Sequence, residues 1–182
     1  MNSGINFISW KELEVLQRLF SFHLRTVHSW GKVPINATAM QDARRKGTDK
    51  EVDELFEATQ SLRWLLIDEI EALAAVVFGI LHSNLCKAMS RSPYAERSDG
   101  TKRPFGGLNL ILSGDWWQLP PVKKIGFYSN PFSGMDWTEQ AAMAFFWRRD
   151  INSIQGVHEL VQPNRTLDPW LRDVLKQDRE GR

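Results

Sequence analysis

The sequence Leu-Leu-Ile-Asp-Glu at residues 65–69 joins an apolar run to two adjacent carboxylates. A short continuous apolar run is typical of a strand buried on both faces, and residues 64–67 fit one strand of a parallel sheet. Asp68 and Glu69 then follow its C-terminal end, where open α/β sheets place their ligand crevice. Such a pair can hold Mg²⁺ through the first carboxylate and orient or deprotonate a water through the second, as in nucleoside triphosphate hydrolysis. The alternative is that both acids only begin the next helix, since carboxylates favour a helix N-terminus.

A second apolar run, residues 108–113, leads into Gly-Asp-Trp-Trp-Gln-Leu-Pro-Pro-Val at residues 114–122. This run is also a strand candidate, so two predicted strands end in polar residues with a helix predicted between them. Gly114 permits a sharp turn, and the two prolines stop regular structure. The amide of Gln118 can contact a terminal phosphate or the attacking water. An ordinary loop at the end of a strand is the alternative.

Size and composition bound the remaining possibilities. The 182 residues suffice for one ordinary domain with a sizeable core, and they are too few for two motor domains. The formal net charge of +1 gives no general argument for nucleic-acid binding, so such a role depends on local patches. The single cysteine, Cys86, excludes an internal disulfide bond. No segment reaches the ~18 uninterrupted apolar residues of a membrane helix, and no secretion signal opens the sequence, so we expect no membrane partner.

The spacing of apolar residues predicts the elements around the two strands. Helices are expected over residues 9–24, 51–62, 71–89, 138–147 and 168–177, and a short strand over 157–161. Thr138 is the predicted N-cap of the fourth helix.

The sequence contains eight tryptophans. Four of them fall in patterns typical of a hydrophobic core: Trp64, Trp137, Trp147 and Trp170. Trp116 and Trp117 lie beside Gln118 and are the better candidates for stacking on the bases of a single nucleic-acid strand.

Four blocks occur in an order that resembles the successive motifs of the petite-integration-frequency (Pif-one) DNA helicases. These are 5′-to-3′ translocases of superfamily one, related to RecD. The blocks are residues 65–69, Pro104-Phe-Gly-Gly107, residues 114–122, and Asn164-Arg165 with Asp168, Leu175, Arg179 and Gly181. Several blocks in the right order are more specific than any single one. The resemblance covers about residues 24–182.

The resemblance implies an α/β chain with the RecA-like P-loop NTPase fold, in which helices flank a parallel sheet, present in incomplete form. Residues 24–160 would form part of the first motor domain, 1A, and residues 161–182 the start of the connection to the second motor domain, 2A. Residues 1–23 would form a divergent N-terminal helix. The second motor domain is then absent from this chain.

The resemblance also implies roles for the site residues. Asp68 would help to hold Mg²⁺, and Glu69 would be the general base. Gln118 would sense the γ-phosphate of ATP and couple it to movement on DNA. Arg165 would reach the γ-phosphate from the seam between the two motor domains, where its charge neutralises the phosphoryl group during transfer.

The partners implied are ATP and single-stranded or forked DNA. His28 lies in a Thr-x-His-Ser segment similar to one that follows the phosphate loop in this family, which makes it a candidate for DNA contact beside Trp116 and Trp117. A capped or packed histidine is the alternative for His28. The implied processes are DNA repair, recombination and telomere maintenance, in the nucleus or the mitochondrion.

The sequence departs from this family at the phosphate loop. Gly-x-x-x-x-Gly-Lys-Ser/Thr, whose backbone amides cradle phosphates, does not occur in the 182 residues. Glu71-Ala72 also stands where the family more often has Ser-Met. We therefore expect a helicase fragment that by itself neither hydrolyses ATP nor unwinds DNA at a useful rate. The alternative is a non-catalytic remnant or an interaction module for nucleic acid or protein.

Overall fold

The computed structural model describes residues 25–35, 49–122, 124–129, 134–160 and 168–179. Within these ranges the helices are α1 Val27–Trp30, α2 Asp49–Thr59, α3 Ala75–Ala88, α4 Trp137–Trp147 and α5 Pro169–Arg179, and the strands are β1 Trp64–Ile67 and β2 Asn109–Leu112. Three short 3-10 turns cover Ile70–Ala72, Met89–Arg91 and Pro104–Gly107. The predicted helix over residues 9–24 and the candidate Arg165 lie outside the described residues. In the described part of the chain, no helix is long and apolar enough to cross a membrane.

The two predicted strands are confirmed, and they pair in parallel with Ile67 opposite Leu112. Their hydrogen-bond ladder continues past both strand ends. The Ser113 amide donates to the Ile67 carbonyl at 2.9 Å, and the Ile70 amide donates to the Ser113 carbonyl at 3.0 Å. Parallel strands need a crossover connection, which α3 supplies here. The C-terminal ends of both strands therefore lie at the same edge of the sheet.

Described residues cover only one face of this sheet, so the prediction of a strand buried on both faces is wrong for β1. Ile67 is 5% exposed and belongs to the core, whereas Trp64 and Leu66 are 60% and 46% exposed. Side chains alternate between the faces of a strand, which places Trp64 and Leu66 together on the open side. Apolar residues occupy both sets of alternating positions here, so the sequence pattern does not distinguish a covered face from an open one.

Helix α3 is the central element of the core. Its sequence is apolar nearly all the way round, as expected of a helix with packed neighbours on several sides, and Phe78, Leu81 and Leu85 are each no more than 1% exposed. The helix begins at Ala75, later than the predicted start at residue 71, because residues 70–72 form a 3-10 turn and Ala74 is extended (φ −72°, ψ 143°). Asp68 and Glu69 therefore do not lie in its first turn.

Helix α4 begins at Trp137, and its N-cap is Asp136 rather than the predicted Thr138. The Asp136 carboxylate accepts hydrogen bonds from the amides of Thr138 (2.8 Å) and Glu139 (3.1 Å), and the Glu139 carboxylate accepts from the Asp136 amide (3.0 Å). This reciprocal pattern is a capping box. Thr138 is instead buried against Gly79 of α3, where an added Cβ would lie 2.5 Å from the Thr138 side chain.

The four tryptophans predicted to lie in the core do not form part of it. The four assigned to it are more than half exposed: Trp64 60%, Trp137 61%, Trp147 55% and Trp170 71%. The large buried aromatic residues are phenylalanines, which carry no polar group that needs a partner, whereas the indole N–H does. The Trp147 indole N–H, for example, donates to the Phe127 carbonyl at 2.9 Å.

The C-terminal part agrees only in part with the prediction. Residues 157–160 are exposed and contain no strand, so the predicted strand over 157–161 is wrong for the described residues. The last predicted helix is confirmed as α5 Pro169–Arg179. No residue of α5 is buried against the described core, although its Arg179 guanidinium forms an ion pair with the Asp115 carboxylate.

His82 is a titratable side chain of α3 that packs beside the Pro104–Gly107 turn. Its ring lies 4.7 Å from the Phe105 ring, measured between centroids, and its Nδ1 accepts a hydrogen bond from the Phe105 amide at 3.1 Å. Burial lowers the pKa of His82 from its ordinary value of 6.5. A proton on Nδ1 would also remove the acceptor of the Phe105 amide.

We therefore expect the free energy of unfolding to fall as the pH drops below about 6.5, because His82 takes up a proton in the unfolded chain before it does so in the folded one. The stability that comes from keeping His82 buried and neutral is fully present above the pKa of His82 in the unfolded chain. It is lost as the pH falls through the lower pKa of His82 in the folded chain. Urea unfolding at about pH 7.5 and about pH 5.5 measures it. His82→Leu should reduce the difference between the two conditions. An equal pH dependence in wild type and His82→Leu would contradict this assignment.

Candidate functional site

Asp68 directly follows β1, and two hydrogen bonds fix its carboxylate. The Ser113 hydroxyl and the Glu69 amide both donate to Asp68 Oδ1, the latter at 3.0 Å. Ser113 directly follows β2, so this contact joins the ends of the two strands. Sequence reasoning missed Ser113 as a site residue. The signal for it was the strand pairing, because residues that follow two adjacent parallel strands emerge side by side.

Glu69 adopts a left-handed backbone conformation, with φ 54° and ψ 46°. This conformation costs a non-glycine residue roughly 1–2 kcal/mol. The bond from its amide to Asp68 Oδ1 helps to hold the chain in this sharp turn, which leads from β1 into the 3-10 turn. The Glu69 side chain is exposed at the strand end. Strained residues of this kind cluster at functional sites, which fits the predicted role of Glu69 at this edge.

Asp115 organises the Gln118 loop, which comprises residues 114–122. The Asp115 carbonyl accepts from the Gln118 amide at 2.9 Å, and its Oδ1 accepts from the Trp117 amide at 3.1 Å. Gln118 itself is exposed. The backbone position of Gln118 therefore depends on Asp115, a residue that sequence reasoning did not single out.

Asp115 is itself held from two sides. Its amide donates to Glu71 Oε2 at 3.0 Å, and its carboxylate pairs with the guanidinium of Arg179 in α5. The preceding Gly114 permits the close approach of Glu71, because a Cβ at that position would overlap Glu71 Oε2 and lie 2.9 Å from the Ile70 amide nitrogen. The Gln118 loop is thus attached both to the segment after β1 that carries Asp68 and Glu69, the acidic strand end, and to α5.

Trp116 and Trp117 differ in their surroundings. Trp116 is 45% exposed, and its ring makes edge contacts with Tyr128 and Phe146, each at 6.3 Å between centroids. Trp117 is 73% exposed. Trp117 therefore presents more of its surface for stacking on a base.

His28 lies in α1, which Thr26 caps by accepting a hydrogen bond from the Ser29 amide at 3.2 Å. The His28 Nδ1–H donates to the Val33 carbonyl at 3.0 Å, and the Val33 amide donates to the His28 carbonyl at 3.0 Å. These bonds close the turn after α1. The structure thus gives His28 a local structural role, which is the alternative considered for it.

Mg²⁺ was predicted at Asp68. Among the described residues, no group of three or more His, Cys, Asp or Glu side chains is arranged to hold a metal ion. A single carboxylate is nevertheless compatible with Mg²⁺ bound to ATP, because Mg²⁺ keeps several waters and binds through one or two carboxylates plus substrate phosphates. Asp68, fixed in place by Ser113, fits that requirement.

The parallel sheet, with helices on one face and polar residues at its C-terminal edge, is an α/β arrangement. A solved structure shows the same fold. A crystal structure of Pif1 helicase from Bacteroides, in complex with ADP-AlF3 and ssDNA, matches with a TM-score of 0.50 and 22% identity. The match covers 85% of this chain and 32% of that one. It supports the predicted α/β fold of the RecA-like class, of which the described residues supply two strands and the helices that cover one face.

The family follows from sequence comparison. The family model described as PIF1-like helicase matches residues 19–135, more than half of the chain, and the chain therefore belongs to the PIF1-like helicase family. This confirms the resemblance seen in the motifs.

Two curated relatives are both named ATP-dependent DNA helicases. RRM3 of Saccharomyces cerevisiae is 33% identical over 157 residues, which are 86% of this chain and 18% of that protein. PIF1 of Danio rerio is 30% identical over 122 residues, 67% of this chain and 16% of that protein. The chain thus spans less than a fifth of the length of either relative.

Proposed function

We propose that residues 24–160 form part of the first motor domain of an ATP-dependent DNA helicase, an enzyme that moves 5′ to 3′ and unwinds DNA at the expense of ATP. One observation carries this proposal. The acidic pair and the loop with Gln118 leave adjacent parallel strands at the same sheet edge, in a chain of the PIF1-like helicase family. Two carboxylates and an amide that leave one sheet edge match the components of a nucleotide hydrolysis site.

Each residue has a defined part in the proposed reaction. Asp68, oriented by Ser113, would hold Mg²⁺, which when bound neutralises charge on the β- and γ-phosphates. Glu69 would accept the proton of the attacking water. Gln118 would contact the γ-phosphate and transmit its loss to the loop. Arg165 would stabilise the transferred phosphoryl group from the seam between motor domains.

The same proposal extends to partners and cellular role. The substrates would be ATP and single-stranded or forked DNA, with Trp117 as the exposed stacking surface. DNA repair, recombination and telomere maintenance are the processes proposed, in the nucleus or the mitochondrion. The names of the relatives support helicase activity, and the finer assignments go beyond those names.

Paramagnetic Mn²⁺ added with ATP tests the nucleotide site on the full chain, because Mn²⁺ replaces Mg²⁺ and broadens nearby amide signals in NMR spectra. We expect broadening at Asp68, Glu69 and Ser113 that requires ATP and disappears in Asp68→Asn. Asp99→Asn, which alters an exposed carboxylate in another loop, is the control and should leave the broadening unchanged. If Mn²⁺ and ATP broaden the same signals in Asp68→Asn as in wild type, the assignment of Asp68 is wrong.

A non-catalytic binding role is the second candidate, and the exposed apolar side chains of the Gln118 loop favour it. Trp117, Leu119 and Val122 are 73%, 83% and 83% exposed. Fluorescence anisotropy of a labelled oligothymidine, measured without nucleotide, tests this role. Trp117→Ala should weaken binding by about 1–3 kcal/mol if the indole stacks on a base. DNA binding without any ATP-dependent Mn²⁺ effect would favour the binding module over the enzyme.

A further inference from the structure

Glu71 is a buried carboxylate for which the proposed hydrolysis has no use. It lies in the 3-10 turn that follows the acidic pair and is 3% exposed. A buried carboxylate is unfavourable unless hydrogen bonds compensate the loss of water. The position of Glu71 therefore requires a partner that stabilises it.

The backbone of the Gln118 loop supplies that partner. The Asp115 amide donates to Glu71 Oε2 at 3.0 Å. Gly114 allows this contact because it has no side chain, and an added Cβ would overlap Glu71 Oε2. Glu71 thus attaches the loop to the segment that carries Asp68 and Glu69, three residues or fewer away along the chain.

The position of Asp115 in turn determines where the backbone of Trp117 and Gln118 lies. The Asp115 carbonyl accepts a hydrogen bond from the Gln118 amide at 2.9 Å, and Asp115 Oδ1 accepts one from the Trp117 amide at 3.1 Å. Arg179 binds the same carboxylate from the exposed side. Glu71 holds the backbone of Asp115 and Arg179 holds its side chain; of these two contacts, the one with Glu71 links Asp115 to the segment that carries Asp68 and Glu69.

We propose that Glu71 is a positioning residue, whose carboxylate anchors Asp115 and thereby sets the place of Gln118 relative to Asp68 and Glu69. The functional meaning of that placement rests on the proposed helicase function. The anchoring itself does not, because it is a property of the folded chain without nucleotide.

Hydrogen exchange of backbone amides, measured by NMR on the full chain, tests the anchor. In Glu71→Ala we expect the amides of Asp115, Trp117 and Gln118 to exchange at least about tenfold faster, because the loop opens locally once its anchor is lost. In Glu71→Gln the amide oxygen can still accept the bond, so exchange should stay within about threefold of wild type. The Asp115 amide proton should also move upfield in Glu71→Ala and much less in Glu71→Gln.

Asn84→Ala is the matched control for general loss of stability. Asn84 is 8% exposed, and its side-chain amide donates to the Gly31 carbonyl at 2.9 Å, away from the loop. This variant should leave exchange at Asp115, Trp117 and Gln118 unchanged. If Glu71→Ala does not fold, Glu71→Asp replaces it, since the shorter carboxylate keeps its charge and no longer reaches the Asp115 amide.

Three results would overturn the proposal: unchanged exchange at Asp115 in Glu71→Ala, equal acceleration in the strands and in the loop, or equal effects of Glu71→Gln and Glu71→Ala. None of these measurements requires ATP. A failed Mn²⁺ experiment with a positive exchange result would therefore remove the proposed nucleotide site at Asp68 and keep the anchor, and the reverse outcome would keep the nucleotide site and remove the anchor.

Discussion

Phe78→Ala is expected to lower the free energy of unfolding by about 3–5 kcal/mol. Domains of this size are stable by only ~5–15 kcal/mol, so the variant should be largely unfolded under mild denaturing conditions. Circular dichroism during urea unfolding measures the change.

The reason is that Phe78 packs α3 against three other parts of the core. It is 0% exposed, and its ring lies 4.9 Å from Phe105, 5.2 Å from Phe127, 5.7 Å from Phe145 and 5.6 Å from Phe146, measured between centroids. These neighbours come from the Pro104–Gly107 turn, the loop before α4, and α4 itself. Removing the ring leaves a cavity between elements that cannot all move inward to fill it.

Two further variants make the test specific. Phe78→Leu keeps most of the buried volume and should cost clearly less than the alanine variant. Trp170→Ala removes a larger aromatic side chain that is 71% exposed, and it should change stability by no more than about 0.5 kcal/mol. A cost for Phe78→Ala close to that of Trp170→Ala would mean that the phenylalanines do not form the core described here.

The sequence was sufficient to locate the two strands and their polar ends. Residues 64–67 are a continuous apolar run followed by Asp68, and residues 108–113 are a largely apolar run that ends in Ser113; both are local patterns. The structure confirms both strands and their parallel pairing. The family followed from the same local blocks, because their order along the chain is preserved.

The supporting contacts of the site were beyond sequence reasoning because they are not local. Ser113 meets Asp68 across the sheet, and Asp115 meets Glu71 between two turns. In the sequence, Glu71 stands out only as a departure from the family pattern, and a glutamate is almost never fully buried without a partner. Its partner is a backbone amide, which no side-chain motif can indicate. Arg165 lies outside the described residues, and its role remains a prediction.

Burial of the tryptophans was mispredicted for a related physical reason. Periodicity shows that apolar positions share a face, and it does not show whether other elements cover that face. The side chains of Trp64 and Leu65 lie on opposite faces of the sheet, as strand geometry requires, yet no described element covers the face that carries Trp64. Trp137 occupies the first position of α4, where it remains largely exposed.

Gly107→Ala is expected to destabilise the protein by more than about 2 kcal/mol, because it combines backbone strain with overlap of atoms. Phe105, Gly106 and Gly107 all have positive φ, at 52°, 63° and 89°. This unusual run turns the chain from the loop into β2. An added Cβ at Gly107 would overlap the Tyr94 carbonyl oxygen and lie 2.5 Å from its carbonyl carbon.

Tyr94 is not free to move away from that Cβ. The Arg63 guanidinium lies 3.5 Å from the centroid of its ring, and the neighbouring Ala95 carbonyl accepts from the Arg103 amide at 2.8 Å. Arg63 directly precedes β1, and its carbonyl accepts from the Asn109 amide of β2 at 2.9 Å, so displacement of Tyr94 would disturb the entry to both strands.

Gly100→Ala separates the two causes. Gly100 also has a positive φ, at 80°, but an added Cβ there meets no atom within 4 Å. Its cost should therefore be the backbone strain alone, about 1 kcal/mol. The difference between the two variants in urea unfolding measures the overlap with Tyr94. Equal costs would mean that the Tyr94 segment shifts easily, and the Pro104–Gly107 turn would then not require glycine for its close contact with the loop.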